Sequence, residues 1–220
     1  MNAIEEPFGD ENYHRMKKLL QQRVGTARYK HSVGVAKTAA QLAKMYSYDV
    51  GEARMAGLVH DWNKACTHQE ERAQVAAFGL SVDAVVLDQM PWLLHGPTAA
   101  AVLARDYPEL GSRVFQAAAR HTSASTGMAP LDMIVYIADL IEPGRVFQDI
   151  GVVRAAVGQV SLEELFFLAL KQIIAFLVEH NRLMHPATME VWNYYVVRMP
   201  AAQKGRLAPA GLMNASMPFA

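Results

Sequence analysis

Ala56-Gly57-Leu58-Val59-His60-Asp61-Trp62-Asn63-Lys64 is the stretch around which the rest of the chain is read. A short apolar run, Leu58 and Val59, delivers an imidazole and a carboxylate in adjacent positions, with Lys64 just behind them. Imidazole together with carboxylate suits a borderline transition metal that keeps coordination positions open. The stretch closes an Ala- and Leu-rich segment, and the helical period carries a predicted helix over residues 52–62. On such a helix Lys64 falls four residues after His60, on nearly the same face. That sets a cation beside the pair, where a phosphate oxygen would bind. Adjacent His and Asp are common by themselves, so the pair acquires meaning only if other stretches supply matching ligands.

Working outward, residues 11–24 read as a helix, with Tyr13, Met16, Leu19 and Leu20 at helical spacing. A second helix, 28–45, opens on Arg28-Tyr29-Lys30-His31 and repeats Val35, Ala39, Leu42 and Ala43 with the helix period. Downstream, 69–78 is helical and stops at Gly79, and Ser81 or Asp83 caps a further short helix. Pro91-Trp92-Leu93-Leu94-His95-Gly96-Pro97 is a break, so the next helix is expected from Thr98 to about Asp106. Helices follow over 110–121 and 131–140, the latter stopping at Glu142-Pro143-Gly144-Arg145. Ser161-Leu162-Glu163-Glu164 has the form of a capping box and starts a helix to about Asn181. A last helix, 187–198, carries Trp192, Tyr195 and Val196 on one stripe. No convincing alternating strand and no repeat interrupts this pattern. The fold class expected is all-α: one helical-bundle domain over 11–199, with a loose arm at 1–10, a tail at 200–220, and the metal site in the bundle interior.

Bulk composition narrows the partners. A hydrophobic share of 52% is that of an ordinary globular chain. Lys+Arg and Asp+Glu are both 21, so net charge argues for neither nucleic acid nor an anionic membrane surface, and any anion site must be local. The single Cys66 excludes an intrachain disulfide and a multi-thiolate metal site. The first ten residues contain acidic but no basic side chains, unlike a secretory signal. The most apolar segment, 162–178, is broken by Glu163, Glu164 and Lys171 and falls short of a membrane span. A cytoplasmic location and a small-molecule substrate are expected, without nucleic acid or membrane, and the composition leaves room for a homodimer.

Five stretches place His or Asp near helix ends or inner faces: His31, His60-Asp61, His95-Gly96, His121-Thr122 and Asp139. Their spacing is that of helix plus loop, so each group comes from its own helix, as in bundles that build a metal site from inward-facing side chains. Taken singly, each His is more readily a satisfied interior or surface residue. Asp139 is harder to dismiss, because it interrupts Ile134-Val135-Tyr136-Ile137-Ala138 and Leu140-Ile141. A buried carboxylate needs a partner, a hydrogen-bond network or a metal; pairing with Arg145 is its purely structural explanation. On residues alone the set supports metal-dependent phosphoester or phosphoanhydride hydrolysis, and no narrower activity.

The ordered set resembles the HD superfamily of metal-dependent phosphohydrolases, and within it the YqeK-like family of symmetrical diadenosine tetraphosphate hydrolases. The residues that carry the resemblance are Arg28 through Ala36, Ala56 through Asp61 with Lys64, Leu94-His95-Gly96, His121-Thr122, and Ile137 through Arg145. It spans about residues 13–180. Two departures stand out: Trp62 and Asn63 lie between the His-Asp pair and Lys64, and His121-Thr122-Ser123-Ala124 replaces the usual His-Thr-Thr-Gly.

The resemblance implies that His31, His60, Asp61 and Asp139 bind a metal, with iron first and manganese or another divalent ion as alternatives. It implies attack by a metal-bound hydroxide and symmetric cleavage into two ADP. Asp61 also orients the attacking water. His95 and His121 either donate to phosphates, the reading preferred at this point, or complete a second metal site bridged by Asp61. The catalytic set is then Asp61, Lys64, His95 and His121. The substrate contacts are Arg28, His31, Lys64, His95, His121, Thr122, Asp139 and Arg145. Another HD nucleotide phosphohydrolase, a di-iron oxygenase and a non-catalytic nucleotide-sensing module are the rival readings. Trp62, Tyr136 and Phe147 are candidates for stacking on a base, with core packing the stronger reading for each.

Overall fold

The computed structural model describes residues 6–146 and 150–199. Residues 1–5 of the expected arm, the expected tail and Phe147 lie outside these residues; the rest of the arm is not loose, for Phe8 packs on the core and Pro7 O accepts from Asn12. Among the described residues there are eleven α-helices and no β-strand. In order they are α1 (Asp10–Arg23), α2 (Thr26–Met45), α3 (Val50–Val59), α4 (His68–Ala77) and α5 (Ala84–Gln89). Then come a 3-10 turn (Pro91–Leu93), α6 (His95–Asp106), a second 3-10 turn (Pro108–Leu110) and α7 (Gly111–Arg120). The series ends with α8 (Pro130–Ile141), α9 (Ile150–Ala156), α10 (Leu162–Glu179) and α11 (Thr188–Arg198). No helix among the described residues is long and apolar enough to cross a membrane.

Helix α8 is the central post. Pro130 fits the first helical position, where a missing N–H costs nothing. Asp132 Oδ2 then accepts the Ala129 N–H at 3.0 Å and closes the N-terminus. From Leu131 to Ile141 nearly every side chain is buried, against α2, α7 and α10. Each fully buried Leu or Ile there contributes about 1.5–3 kcal/mol of transfer free energy. The capping box expected at Ser161 forms: its hydroxyl accepts the Glu164 N–H while Glu164 accepts the Ser161 N–H.

Two glycines set the close approaches that bring the chemistry together. A Cβ on Gly57 would lie 3.0 Å from the Ala36 Cα, so only glycine lets α3 seat this tightly on α2. That contact brings His31 of α2 beside the end of α3. A Cβ on Gly96 would lie 3.1 Å from the carbonyl oxygens of Ala118 and Ala119. The start of α6 therefore abuts the end of α7, and His95 meets His121.

Three expectations are corrected. The helix predicted over 52–62 ends at Val59, and residues 60–65 form tight turns, with Trp62 N donating to Val59 O and Lys64 N to Asp61 O. Lys64 is therefore not one helical turn above His60. Arg23 holds this turn: its guanidinium donates to the Trp62 carbonyl at 2.6 Å and to Asn63 Oδ1 at 2.8 Å, and it lies over the Trp62 ring. The helix expected to begin at Thr98 begins at His95 itself, because the 3-10 turn at Pro91–Leu93 feeds directly into α6. Helix α9 was not expected at all; its seven residues are too short for a periodic stripe.

Candidate metal centre

His31 comes from α2, His60 caps the end of α3, and Asp61 starts the turn after it. His95 opens α6, His121 follows α7, and Asp139 sits on α8. All six converge. Asp61 Oδ2 lies 3.3 Å from His60 Nε2 and 3.8 Å from His31 Nε2. Its other oxygen, Oδ1, lies 3.1 Å from His95 Nε2 and 3.5 Å from His121 Nε2. Asp139 Oδ1 lies 2.9 Å from His31 Nε2 and 3.8 Å from His60 Nε2. Asp61 is thus flanked by two pairs of imidazoles, one on each oxygen.

The rings are held by their other nitrogen. His60 Nδ1 is 2.8 Å from Gly57 O, His95 Nδ1 is 2.7 Å from Trp92 O, and His121 Nδ1 is 2.7 Å from Ala118 O. His31 Nδ1 is 3.0 Å from Glu142 Oε1. At His31, His60 and His121 the partner is an acceptor, so Nδ1 carries the proton and Nε2 turns a lone pair inward; His95 Nδ1 has the Lys64 ammonium at 3.1 Å as well, and the closer Trp92 carbonyl assigns it the same tautomer. This is the orientation that metal-ligating histidines adopt.

The donor set fits a divalent cation. His31, His60 and Asp139 form one group whose ligand atoms lie within 4.8 Å of one another, and His60, Asp61 and His121 form a second. The Nε2 atom of His60 is buried and has no hydrogen-bond partner, and the buried Nε2 of His31 faces the Asp139 carboxylate at 2.9 Å without forming a hydrogen bond. Orphaned buried nitrogens are costly unless something is bound there. His95 Nε2 and His121 Nε2 face each other at 3.0 Å. With both Nδ1 atoms donating to carbonyls, two lone pairs oppose each other, a repulsion that a cation relieves.

Electrostatics agree. Burial alone would raise the Asp61 carboxyl, but the imidazoles around it, His60 first and then His121 and His95, hold it well below the usual carboxylate range. Burial likewise opposes ionisation of Asp139, and His31, His60 and Arg145 outweigh it, so this carboxyl is also strongly lowered. Burial pushes His95 down to about 4, with the contact to Asp61 only partly offsetting it. Both carboxylates are therefore charged and His95 neutral near pH 7, the forms that ligate metal.

A cavity of about 380 Å3 opens onto this floor. Arg28, Lys64 and Arg145 line it, together with Thr122. Arg28 Nη1 donates to Asp61 Oδ2 at 2.7 Å, and Arg145 Nη2 donates to Asp139 Oδ1 at 2.6 Å. The structural pairing of Asp139 with Arg145 therefore exists alongside its place in the cluster. Lys64 Nζ lies 3.1 Å from His95 Nδ1, and burial lowers its pKa against the raising effect of Asp61. The rest of the lining is largely apolar: Trp92, Leu93, Tyr136, Leu140 and Ile173. A larger cavity of about 700 Å3, between α2, the end of α8 and α9, contains no imidazole or carboxylate.

Every expected site residue among Arg28, His31, His60, Asp61, Lys64, His95, His121, Thr122, Asp139 and Arg145 lies at this one place. Two participants were missed. Glu142, which orients His31, lay in the quoted Ile-Glu-Pro segment without a role assigned to it; its signal was an acid following the apolar helix. Trp92, on the cavity wall, carried no signal beyond its closeness to His95. Of the stacking candidates, Trp62 packs edge-on against Tyr107 in the core and Tyr136 packs against Phe166. The departure at Ala124 has a structural reading: the residue takes φ +57°, a region that favours glycine, so the turn keeps a glycine-like backbone at some cost in strain.

Known proteins match this chain along most of its length. A family model described as "HD domain" matches residues 28–144. A Staphylococcus aureus protein named "Bis(5'-nucleosyl)-tetraphosphatase, symmetrical" is 30% identical over 84% of this chain and 94% of its own. A Bacillus subtilis protein of the same name is 32% identical, over 80% and 94% respectively. A Clostridium acetobutylicum crystal structure, described as a "predicted HD superfamily hydrolase involved in NAD metabolism", superposes with a TM-score of 0.78. It is 32% identical, and the match covers 85% of this chain and 98% of that one.

Proposed function

The chain belongs to the HD-domain family, as a hydrolase with symmetrical bis(5'-nucleosyl)-tetraphosphatases among its relatives, and we propose that it cleaves diadenosine tetraphosphate at its centre into two ADP. The observation that carries this reading is the composition of one cavity. Its floor is imidazole nitrogen and carboxylate oxygen, and Arg28, Lys64 and Arg145 stand around it. Three cations exceed what a monophosphate requires, whereas a polyphosphate chain can engage all of them. Charge-assisted contacts of this kind are the stronger class of hydrogen bond.

His31, His60, Asp61 and Asp139 would hold the first cation, with His95 and His121 sharing Asp61 to hold a second. The Nδ1-protonated form of His95 and His121 turns a lone pair toward the cavity. This favours ligation over the donation to phosphate preferred from sequence. Imidazole and carboxylate donors suit iron, with manganese as the alternative. When bound, such a cation supplies Lewis acidity and an acidified water near neutral pH.

The chain's own groups do the rest. Asp61 accepts a hydrogen bond from the attacking water and aims it at a phosphorus beside the central bridging oxygen. A guanidinium has five donors, so Arg28 keeps N–H groups for phosphate oxygens while it contacts Asp61, and Arg145, paired with Asp139, brings its charge to the same cavity. Lys64 places its charge near the bridge. The bond from that phosphorus to the bridging oxygen breaks, and the departing ADP keeps this oxygen on its terminal phosphate. The reading is tested with metal-loaded protein and a nucleotide panel: diadenosine tetraphosphate should be hydrolysed far faster than AMP, and comparable rates for the two would refute it.

A further inference from the structure

Among the side chains that line the cavity, Trp92 is the large apolar group left open to solvent. It is 47% exposed, whereas Tyr136 on the same wall is 4% exposed. Among the described residues no aromatic ring packs against it. An exposed indole on a soluble-facing surface needs no explanation by itself. Its backbone does make it unusual: the Trp92 carbonyl is the acceptor that fixes His95 Nδ1 at 2.7 Å. Pro91 and the 3-10 turn, closed by Leu93 N to Met90 O and Leu94 N to Pro91 O, keep that backbone rigid. The backbone from which the indole projects therefore stands at a fixed offset from an imidazole on the floor of the site.

Resting on the hydrolase reading above, we propose that Trp92 is the platform on which the base of the bound nucleotide stacks, and that this subsite is indifferent to base identity. The phosphates reach toward Lys64 and Arg145, and the nucleoside end leaves the polar floor along the apolar wall. There Leu93, Leu140 and Ile173 offer hydrocarbon, and Tyr136, the one wall residue with a side-chain hydroxyl, is 4% exposed. A base edge that meets only aliphatic carbon is not read, while its π-face gains from an aromatic partner whichever base it is. A cavity of about 380 Å3 is at the small end for ligand sites. It suits one nucleotide half, with the other half directed outward. Trp92 thus acts as a specificity residue for nucleotides over bare polyphosphates, and adenine and guanine dinucleotides should be accepted alike.

Binding separates this from catalysis. With metal-loaded protein, calorimetry compares ADP, GDP and inorganic pyrophosphate against the parent, Trp92→Ala and Trp92→Phe. The platform predicts that ADP and GDP bind alike to the parent. It predicts that Trp92→Ala weakens both by roughly 5- to 150-fold, the range for losing one base–aromatic stack. Pyrophosphate should bind all three proteins equally, and Trp92→Phe should retain most of the nucleotide affinity. Equal weakening of pyrophosphate in Trp92→Ala would show a damaged metal floor rather than a lost platform and would overturn the proposal. So would unchanged ADP affinity, or discrimination of ADP from GDP by the parent. Because no turnover is measured, these outcomes stand or fall separately from the reaction assigned to the enzyme.

Discussion

Replacing Glu142 by glutamine tests whether the site depends on how His31 is oriented. Glu142 is buried, and it accepts from two donors at once: His31 Nδ1 at 3.0 Å on Oε1 and the Gly144 N–H at 2.7 Å on Oε2. A glutamine has the same shape but offers one oxygen and one NH2. If its oxygen faces Gly144, its NH2 meets His31 Nδ1, which must then accept. The imidazole proton moves to Nε2, the atom otherwise free for metal. If its oxygen faces His31, the NH2 opposes the Gly144 N–H and a buried donor goes unpaired, a loss of about 1–3 kcal/mol. Changes to groups that orient a metal-bound histidine cost roughly 10- to 100-fold in metal affinity, or about 1.4–2.7 kcal/mol. Competition titration against a chromophoric chelator should therefore give a metal Kd weaker by that factor, with helical circular dichroism retained. An affinity within twofold of the parent, at unchanged Tm, would refute the orienting role of Glu142.

Further outcomes follow from the same geometry. His60→Ala or Asp61→Ala should lose bound metal by elemental analysis and lose phosphate release, while the protein stays helical; full metal occupancy in either variant counts against the ligand set. Lys64→Ala should lower turnover or raise KM without changing metal content, because Lys64 contacts His95 through Nδ1 and donates nothing to the metal. In the metal-free protein, His95 titrates near 4 when folded and near 6.5 when unfolded, so between these values the unfolded chain binds the extra proton. Its stabilising effect is present above pH 6.5 and lost as pH falls toward 4, by about 3 kcal/mol in total. Urea unfolding at pH 7 and 4.5 should show a smaller pH effect in His95→Gln, and equal effects in both proteins would contradict the assignment.

Much of this was legible in the sequence for physical reasons. Helices α1, α2 and α10 announce themselves through apolar spacing and, at Ser161, through a cap whose two hydrogen bonds form. The ligands were legible as a set because each lies near the end or inner face of its own helix. What spacing could not supply was the tight turn at His60. Leu58, Val59 and Trp62 continue the helical pattern, while the Trp62 carbonyl is held outside it by Arg23, far upstream. Glu142 and Trp92 were silent for a related reason. One acts by accepting from a residue 111 positions away, and the other by standing at a cavity that exists only after α6 and α7 meet. The function itself came from resemblance rather than periodicity; a buried His and Asp cluster alone stops at metal-dependent hydrolysis.

Symmetric cleavage at this His and Asp cluster leaves a distinct set of products. Chromatography of the products from diadenosine tetraphosphate and metal-loaded protein tests it most directly. ADP as the only nucleotide product, absent from the same incubation with Asp61→Ala, is the predicted result. AMP together with ATP would mean attack at an outer phosphorus and would contradict it.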